Sequence, residues 1–386
     1  MLRIALTHLR HAETGGTERY LDLLAAHLAE CGHEVTIVCR SHGRPPHPRV
    51  KFEVLRPISV GAPWRLWAFA RAVERFVNRE RFDVVYGLGR TWSQDLLRLG
   101  GGAHDTYLEL AHGATRTPLE RLLKLGALKH RAILAIERRA LAPGAAWRVV
   151  VNARMVAEDI VARHGLNRDA IEVIYNGVDV ERFHPRLRKS EGKALRAELG
   201  FGDEHTLILF LGSGYGRKGL AGVIDAFPAV LRAQPDARLV VVGFDSALPE
   251  YQARANRLGL EPFARFLGGR RDAPVCFAAC DLYVLPTHYD PFANSTLEAL
   301  ALGLPVITTR TNGGSELIRQ GVAGSVLERA YTAEDLALEM TAWCDPERLR
   351  AGSTAARALA LEHSHVHAMR RSAELIERCA AHKSAR

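Results

Sequence analysis

Residues 281–309 read DLYVLPTHYDPFANSTLEALALGLPVITT. The apolar run Leu282–Leu285, closed by Pro286, has the unbroken hydrophobicity of a strand buried on both faces of a parallel sheet. A polar loop from Thr287 to Asn294 follows. Ser295 then opens a helix, Gly303 closes it, and Pro305 leads into a second strand, Val306–Thr309. In such a unit the first helical N–H groups lack intrahelical partners and the helix dipole points its positive end at the loop, so the helix start favours an anion. Two carboxylates flank that point, Asp290 in the loop and Glu298 in the first helical turn. Placed so, they can accept hydrogen bonds from sugar hydroxyls while the helix end holds a phosphate. A plainer reading stands beside this one: Ser295-x-x-Glu298 is also the pattern of a capping box, and Asp290 before Pro291 that of a turn.

The same alternation extends in both directions. Before residue 181, strands are expected at Arg3–Leu9, Val35–Cys39, Phe52–Leu55, Phe82–Leu88, Trp147–Asn152 and Ile171–Tyr175, with helices at Gly16–Glu30 and Trp64–Asn78. The pattern restarts with strands Leu207–Leu211, Ala237–Val242 and Phe263–Leu267. Strands alternating with helices make an α/β protein with parallel sheets covered on both faces, and ligands sit at the C-terminal ends of the strands. At 386 residues the chain is too long for one core. The expected division is a first domain at 1–180, a charged, apolar-poor linker at 181–205, a second domain at 206–362 and a terminal helix at 363–386.

Composition narrows the class. The chain is 47% hydrophobic and 25% charged, and no apolar run approaches the roughly 18–20 residues that span a bilayer. The opening MLRIALTHLRHAET is a first strand rather than a signal peptide. Six scattered cysteines, with no CxxC or zinc spacing, suit reduced thiols in a cytoplasmic protein. The run HSHVH, His363 to His367, does not have the spacing of a metal site, and no metal is expected. The net charge is +9, with 26 Lys+Arg against 19 Asp+Glu before residue 181, which points to an anionic partner for that half. With 7% aromatic residues and no stacking platform, nucleic acid is not that partner. Between Arg116 and Arg139 seven cations face two glutamates and alternate with leucines and isoleucines. Two readings stay open there: an amphipathic helix packed on its own domain, or attachment to an anionic membrane surface.

Glycine-rich segments sit at several strand ends. Gly15-Gly16 enters a helix, which alone means only a tight turn. Gly100-Gly101-Gly102 followed by His104-Asp105, within a long loop after Tyr86, suggests backbone packed close to a ligand. Gly212-Ser-Gly-Tyr-Gly-Arg217-Lys218-Gly219 sets two cations between glycines at a strand end, a cradle for pyrophosphate. Arg270 and Arg271 follow another pair of glycines, and Glu316 reads as a helix-capping residue.

The stretch around Asp290 and Glu298 resembles the donor-binding signature of the retaining, nucleotide-sugar-dependent glycosyltransferases of family 4: an acidic residue, seven spacers, a glutamate, a small-residue helix end and Pro-Val-Ile. It departs at Asp290, where glutamate is commoner. GSGYGRKG is similar to the corresponding loop of the bacterial lipopolysaccharide-core glucosyltransferases that act on inner-core heptose. The resemblance implies the GT-B fold, two Rossmann-like domains facing across a cleft, the first binding the acceptor and the second the nucleotide-sugar, with the terminal helix crossing back to the first. It implies that Arg217 and Lys218 pair with the donor phosphates, helped by the helix end at Asn294, Ser295 and Thr296, while Glu298 holds ribose and Asp290 the transferred sugar. Gly15 and Gly16 would let backbone approach the donor phosphates and acceptor; His104 would contact the donor sugar, Asp105 the acceptor, and Arg270 the nucleobase region. The groups placed at the reacting bond are Asp290, Arg217, Lys218 and His104. The implied reaction uses a UDP-sugar, UDP-glucose foremost, with retention and without metal or other cofactor. The implied acceptor is a lipid-linked core oligosaccharide, handled by a cytoplasmic enzyme peripherally associated with the inner membrane. Another glycan or lipid acceptor, or a UDP-sugar epimerase of the same architecture, is the alternative.

Overall fold

Seven short apolar runs make the first sheet in the computed structural model, which describes residues 1–11, 15–110 and 127–385. They are β1 (Arg3–Thr7), β2 (Glu34–Cys39), β3 (Lys51–Val54), β4 (Val84–Gly87), β5 (Leu96–Arg98), β6 (Arg148–Val151) and β7 (Ile171–Val173), in the order β3-β2-β1-β4-β5-β6-β7. Every pairing is parallel, with Ile4 opposite both Val35 and Val84. The helices between them are α1 (Gly16–Glu30), α2 (Gly61–Glu80), α3 (His104–Leu110), α4 (Leu128–Ala140) and α5 (Arg154–His164). In α1 the buried residues are Tyr20, Leu21, Leu24, Ala25, Leu28 and Ala29, the stripe a 3.6-residue repeat lays on one face. α2 and α4 pack side by side through Leu66, Ala70, Ile133 and Ile136.

The segment after Tyr86, read as one long loop, contains β5. That strand has three residues, too few for an apolar run to register, yet all three are buried.

The second sheet is β8 (Thr206–Leu211), β9 (Ala237–Val242), β10 (Ala264–Phe266), β11 (Leu282–Leu285), β12 (Val306–Thr309) and β13 (Gly324–Leu327), ordered β10-β9-β8-β11-β12-β13 and again wholly parallel. The helices of this unit are α6 (Glu191–Glu198), α7 (Tyr215–Lys218), α8 (Leu220–Ala233), α9 (Leu248–Arg257), α10 (Ala273–Ala278), α11 (Asn294–Ala301), α12 (Ala333–Trp343) and α13 (Pro346–Glu362).

Residues 181–205 are not a loose linker. They fold onto the second unit, where Arg188 and Arg196 reach the Asp281 carboxylate at 2.7 and 2.9 Å. Gly192 in α6 lies so close to α10 that a Cβ there would sit 2.5 Å from the Ala278 carbonyl oxygen. The chain divides between Asn176 and Gly177, and again between Ser364 and His365. The last helix, α14 (His365–Ser384), belongs to the first unit. It buries Met369, Leu375, Ile376 and Cys379 in the core beside α1, and its Ser372 hydroxyl bonds Tyr20 at 2.7 Å.

Candidate functional site

In the second unit three strand ends converge because glycines let backbone touch backbone. Gly219, at φ 81°, lies where a Cβ would be 2.2 Å from the Pro286 carbonyl oxygen, and Gly243 where it would be 2.1 Å from that of Gly212. The loop after β8 is thereby pressed against the loops after β9 and β11. The Thr287 hydroxyl and the His288 N–H both donate to the Arg217 carbonyl, at 3.0 and 2.9 Å. Tyr215 donates its N–H to Asp245 and its hydroxyl to the Gly243 carbonyl.

Arg217 and Lys218, on the single turn of α7, aim at one atom. Asp290 Oδ2 accepts from Arg217 Nη1 at 2.7 Å and from Lys218 Nζ at 2.6 Å, and Arg217 Nη1 also reaches the Tyr289 carbonyl at 3.0 Å. Asp290 Oδ1 accepts the Phe292 N–H at 3.2 Å. Burial pushes the Asp290 carboxyl up, but the adjacent Lys218 and Arg217 cations outweigh it and hold the group below the usual carboxylate range. Asp290, expected at the transferred sugar, and Arg217 and Lys218, expected at the donor phosphates, are thus paired with one another. Asp290 and Lys218 are both buried, and the three side chains form one cluster in which two cations share one carboxylate. Such a cluster keeps an uncompensated positive charge at the strand ends.

Beside it, α11 starts at Asn294 with Ala293 as its cap residue and no side-chain cap. The capping-box reading of Ser295 and Glu298 is thus corrected: the Ser295 hydroxyl bonds that of Tyr283 at 2.8 Å instead. Asn294, Ser295 and Glu298 are half-buried. Thr296, expected at the donor, faces inward: it is fully buried and accepts from Asn312 Nδ2 at 2.9 Å. Asn312 is the residue that sequence reasoning missed. Its Oδ1 accepts the N–H groups of Ala293 and Gly314 at 3.1 and 3.0 Å, fixing the entry to α11, and the Thr-Asn-Gly-Gly turn was its only signal. Asn312 also caps the short turn Gly313–Leu317, in place of the helix expected there with Glu316 as its cap. Arg270 is committed to Asp272 through two bonds of 2.9 and 2.6 Å, so it is not a free cation for a nucleobase, and Arg271 is exposed.

In the first unit Gly15 caps α1 at φ 129°, with Glu18 folded back over it and Gly16 as the first helical residue. His104 is buried at the start of α3, its Nε2 bonded to His130 Nδ1 at 2.9 Å and its N–H to Glu137 Oε1 at 2.9 Å. Burial, then the Arg90 and His130 charges, push its pKa down to about 4, so the ring is neutral at neutral pH. Asp105 accepts the Thr106 N–H at 2.8 Å and lies 3.9 Å from Arg163. Asp105, Glu137 and His164 bring ligand atoms within 4.8 Å of one another, but Arg90 and Arg163 stand 3.8 and 3.9 Å from those carboxylates and compete with a metal ion. Arg116, Arg121 and Lys124 of the basic stretch lie outside the described residues.

Two family models match the chain, Glycosyltransferase Family 4 over residues 14–182 and Glycosyl transferases group 1 over residues 192–357. Together they span most of the sequence and meet near the division between the two units. The chain belongs to these glycosyltransferases. Among curated relatives, this glycosyltransferase is 26% identical to an uncharacterized glycosyltransferase of Methanocaldococcus jannaschii over 80% of each chain. It is 25% identical to the lipopolysaccharide glucosyltransferase WaaG of Escherichia coli over 54% of this chain and 56% of that protein. A crystal structure of WaaG, described as involved in lipopolysaccharide biosynthesis, matches with a TM-score of 0.79 at 21% identity, covering 97% of this chain and 99% of that one. Anabaena Alr3699/HepE, solved with UDP-glucose, matches with a TM-score of 0.72 at 20% identity over 98% of this chain and all of that one. The glycosyltransferase therefore has the GT-B fold.

Proposed function

We propose that this glycosyltransferase moves glucose from UDP-glucose to a heptose of the lipopolysaccharide inner core, with retention and without a metal ion. The observation that carries the reading is the Arg217–Lys218–Asp290 cluster beside the uncapped N-terminus of α11. Two cations sharing one carboxylate can accept a diphosphate, and α11 supplies N–H groups to it. A HepE structure is described with UDP-glucose, and the name of WaaG supports a lipopolysaccharide acceptor.

As the glycosidic bond breaks, its electron pair passes to the diphosphate, and the charge that grows there is met by Arg217, Lys218 and the helix end. The acceptor hydroxyl attacks the same face of the sugar, and its proton passes to the departing phosphate oxygen. Glu298 holds ribose hydroxyls and Asp290 steadies the transferred sugar while anchoring the two cations.

The place of work in this reading is the inner face of an anionic membrane. Among the described residues no helix is long and apolar enough to cross a membrane. In α4, Ile133 and Ile136 face the protein's own core, while Leu128 at its start is 69% exposed, so the described apolar stripe packs inward except at its first turn. Ile58, Val60 and Trp64, at the start of the neighbouring α2, are 100%, 83% and 69% exposed and offer an apolar contact among arginines 56 and 65.

The test is a panel of UDP-, GDP- and ADP-glucose read as nucleotide release, with and without deacylated core oligosaccharide. Release that depends on the acceptor and prefers UDP is expected. In Lys218→Ala and Arg217→Ala the rate should fall about 10²–10³-fold, equivalent to roughly 3–4 kcal/mol of lost transition-state stabilisation. Near-normal turnover in both variants would remove the phosphate assignment.

A further inference from the structure

A cavity of about 160 Å³ opens at the C-terminal ends of β4 and β5 in the first unit, lined by Thr17, Arg90, Arg98, Gly101 and Glu137 among others. Arg98, the last residue of β5, is 4% exposed. The described groups that touch it are uncharged: Nη2 donates to Asn176 Oδ1 at 2.7 Å, the guanidinium carbon stands 3.6 Å from the centre of the Tyr20 ring, and the Tyr86 hydroxyl lies alongside. Nη1 is buried and has no hydrogen-bond partner among the described residues. Buried guanidinium groups are ordinarily paired with carboxylates, because a cation removed from water is otherwise uncompensated. Arg98 forms no ion pair among the described residues.

Arg90 does not relieve this. Among the described residues its nearest carboxylate oxygen is Glu137 Oε2 at 3.8 Å, beyond hydrogen-bond reach, and Glu137 Oε1 already accepts the His104 N–H. Burial, opposed by that bond and by Arg90, pushes the Glu137 carboxyl up to about 7. Burial lowers the pKa of His8, also on the wall, and Glu18 lies 4.0 Å from its ring. The cavity thus faces two guanidinium groups with one part-titrated carboxylate, and the N-terminus of the fifteen-residue α1, reached through Thr17, is already offset by Glu18 in its first turn and adds little.

We infer that this cavity is an oxyanion subsite for the acceptor: a phosphate or carboxylate group on the acceptor seats against Arg98 and Arg90. The acceptor is then an anionic sugar, not a neutral one. This rests on the reading of the first unit as the acceptor-binding half. Two guanidinium forks can offer paired N–H donors to such a group, as a lysine cannot.

The test uses the full chain with its diphosphate cradle first filled by saturating UDP, followed by calorimetric titration with inorganic phosphate and, separately, with acetate. One further site for phosphate is expected, weakened at least tenfold in Arg98→Gln and in Arg90→Gln, with UDP affinity unchanged in both. Arg90 is 37% exposed at its side chain, so Arg90→Gln keeps the test decisive if Arg98→Gln lowers the melting temperature. Acetate binding with the same dependence on both arginines assigns the subsite to a carboxylate and equally supports the inference. Phosphate and acetate that both fail to bind once UDP is present, or bind equally well in both variants, overturn it while leaving the donor reading intact. A chain that takes phosphate at Arg98 but does not bind UDP supports the subsite and sinks the donor reading instead.

Discussion

Asp290 shows how one side chain changes meaning once its surroundings are known. A carboxylate that only touched sugar could become asparagine without loss of stability. Here Asp290→Asn strips the counter-ion from Lys218 and Arg217, and breaking a buried pair costs about 3–5 kcal/mol. We expect a lower melting temperature in the free variant and a larger upward shift on adding UDP than in wild type, because the diphosphate restores the missing negative charge. Thermal denaturation with and without UDP measures both. Equal shifts would mean that Asp290 does not anchor the cations. Glu137 permits a pH test. Its folded pKa of about 7 is raised from 4.5, so its contribution to stability is full below pH 4.5 and is lost as pH rises through 7. His104, held down to about 4, runs the other way, losing stability as pH falls below 6.5. Glu137→Gln isolates the first effect. The stability of the variant relative to wild type should rise by about 3 kcal/mol between pH 4.5 and 8, read from denaturant midpoints at each pH. A difference independent of pH would show that Glu137 is not held in that state.

At the scale of elements, two segments owe their place to anchors distant in sequence. Asp281, just before β11, accepts from Arg188, Arg196 and the Leu207 N–H, which ties residues 181–205 to the N-terminal ends of β8 and β11, the central strands of the second sheet. α14 closes the core of the first unit, where Leu375 and Ile376 are 1% and 0% exposed. Ile376→Ala leaves a cavity between α14 and that core and should cost about 2–5 kcal/mol. Limited proteolysis should then cut first at the Ser364–His365 boundary, while the second unit stays protected. Unchanged protection of α14 would show that the helix does not depend on this contact.

At the scale of the molecule the unequal charge is the clearest feature, with most of the net +9 lying before residue 181. At roughly 1 kcal/mol for each cation near an anionic surface, a few engaged arginines give reversible, salt-sensitive attachment. The protein should therefore sediment with anionic vesicles at low salt, not with neutral ones, and be released as salt rises. Replacing Arg121, Lys124, Lys129 and Arg131 with Gln should weaken sedimentation, and Trp64→Ser should weaken it further, with activity on a water-soluble oligosaccharide retained. Binding indifferent to lipid charge, or undiminished in these variants, would return both surfaces to ordinary solvent contact.

The sequence by itself determined the α/β class, the two parallel sheets and the loop with two cations. Strands buried on both faces must be continuous apolar runs, and backbone that touches backbone must be glycine, so Leu282–Leu285, Val306–Thr309 and Gly212–Gly219 are legible locally. The tertiary structure alone decided the rest. It brought Asp290 onto cations more than seventy residues away, turned Thr296 inward onto Asn312 and left Arg98 buried with no carboxylate partner among the described residues. Charge pairing and burial depend on distances through space between residues remote in the chain, and the energy of a buried charge depends on every neighbour at once. No local pattern of residues carries that information.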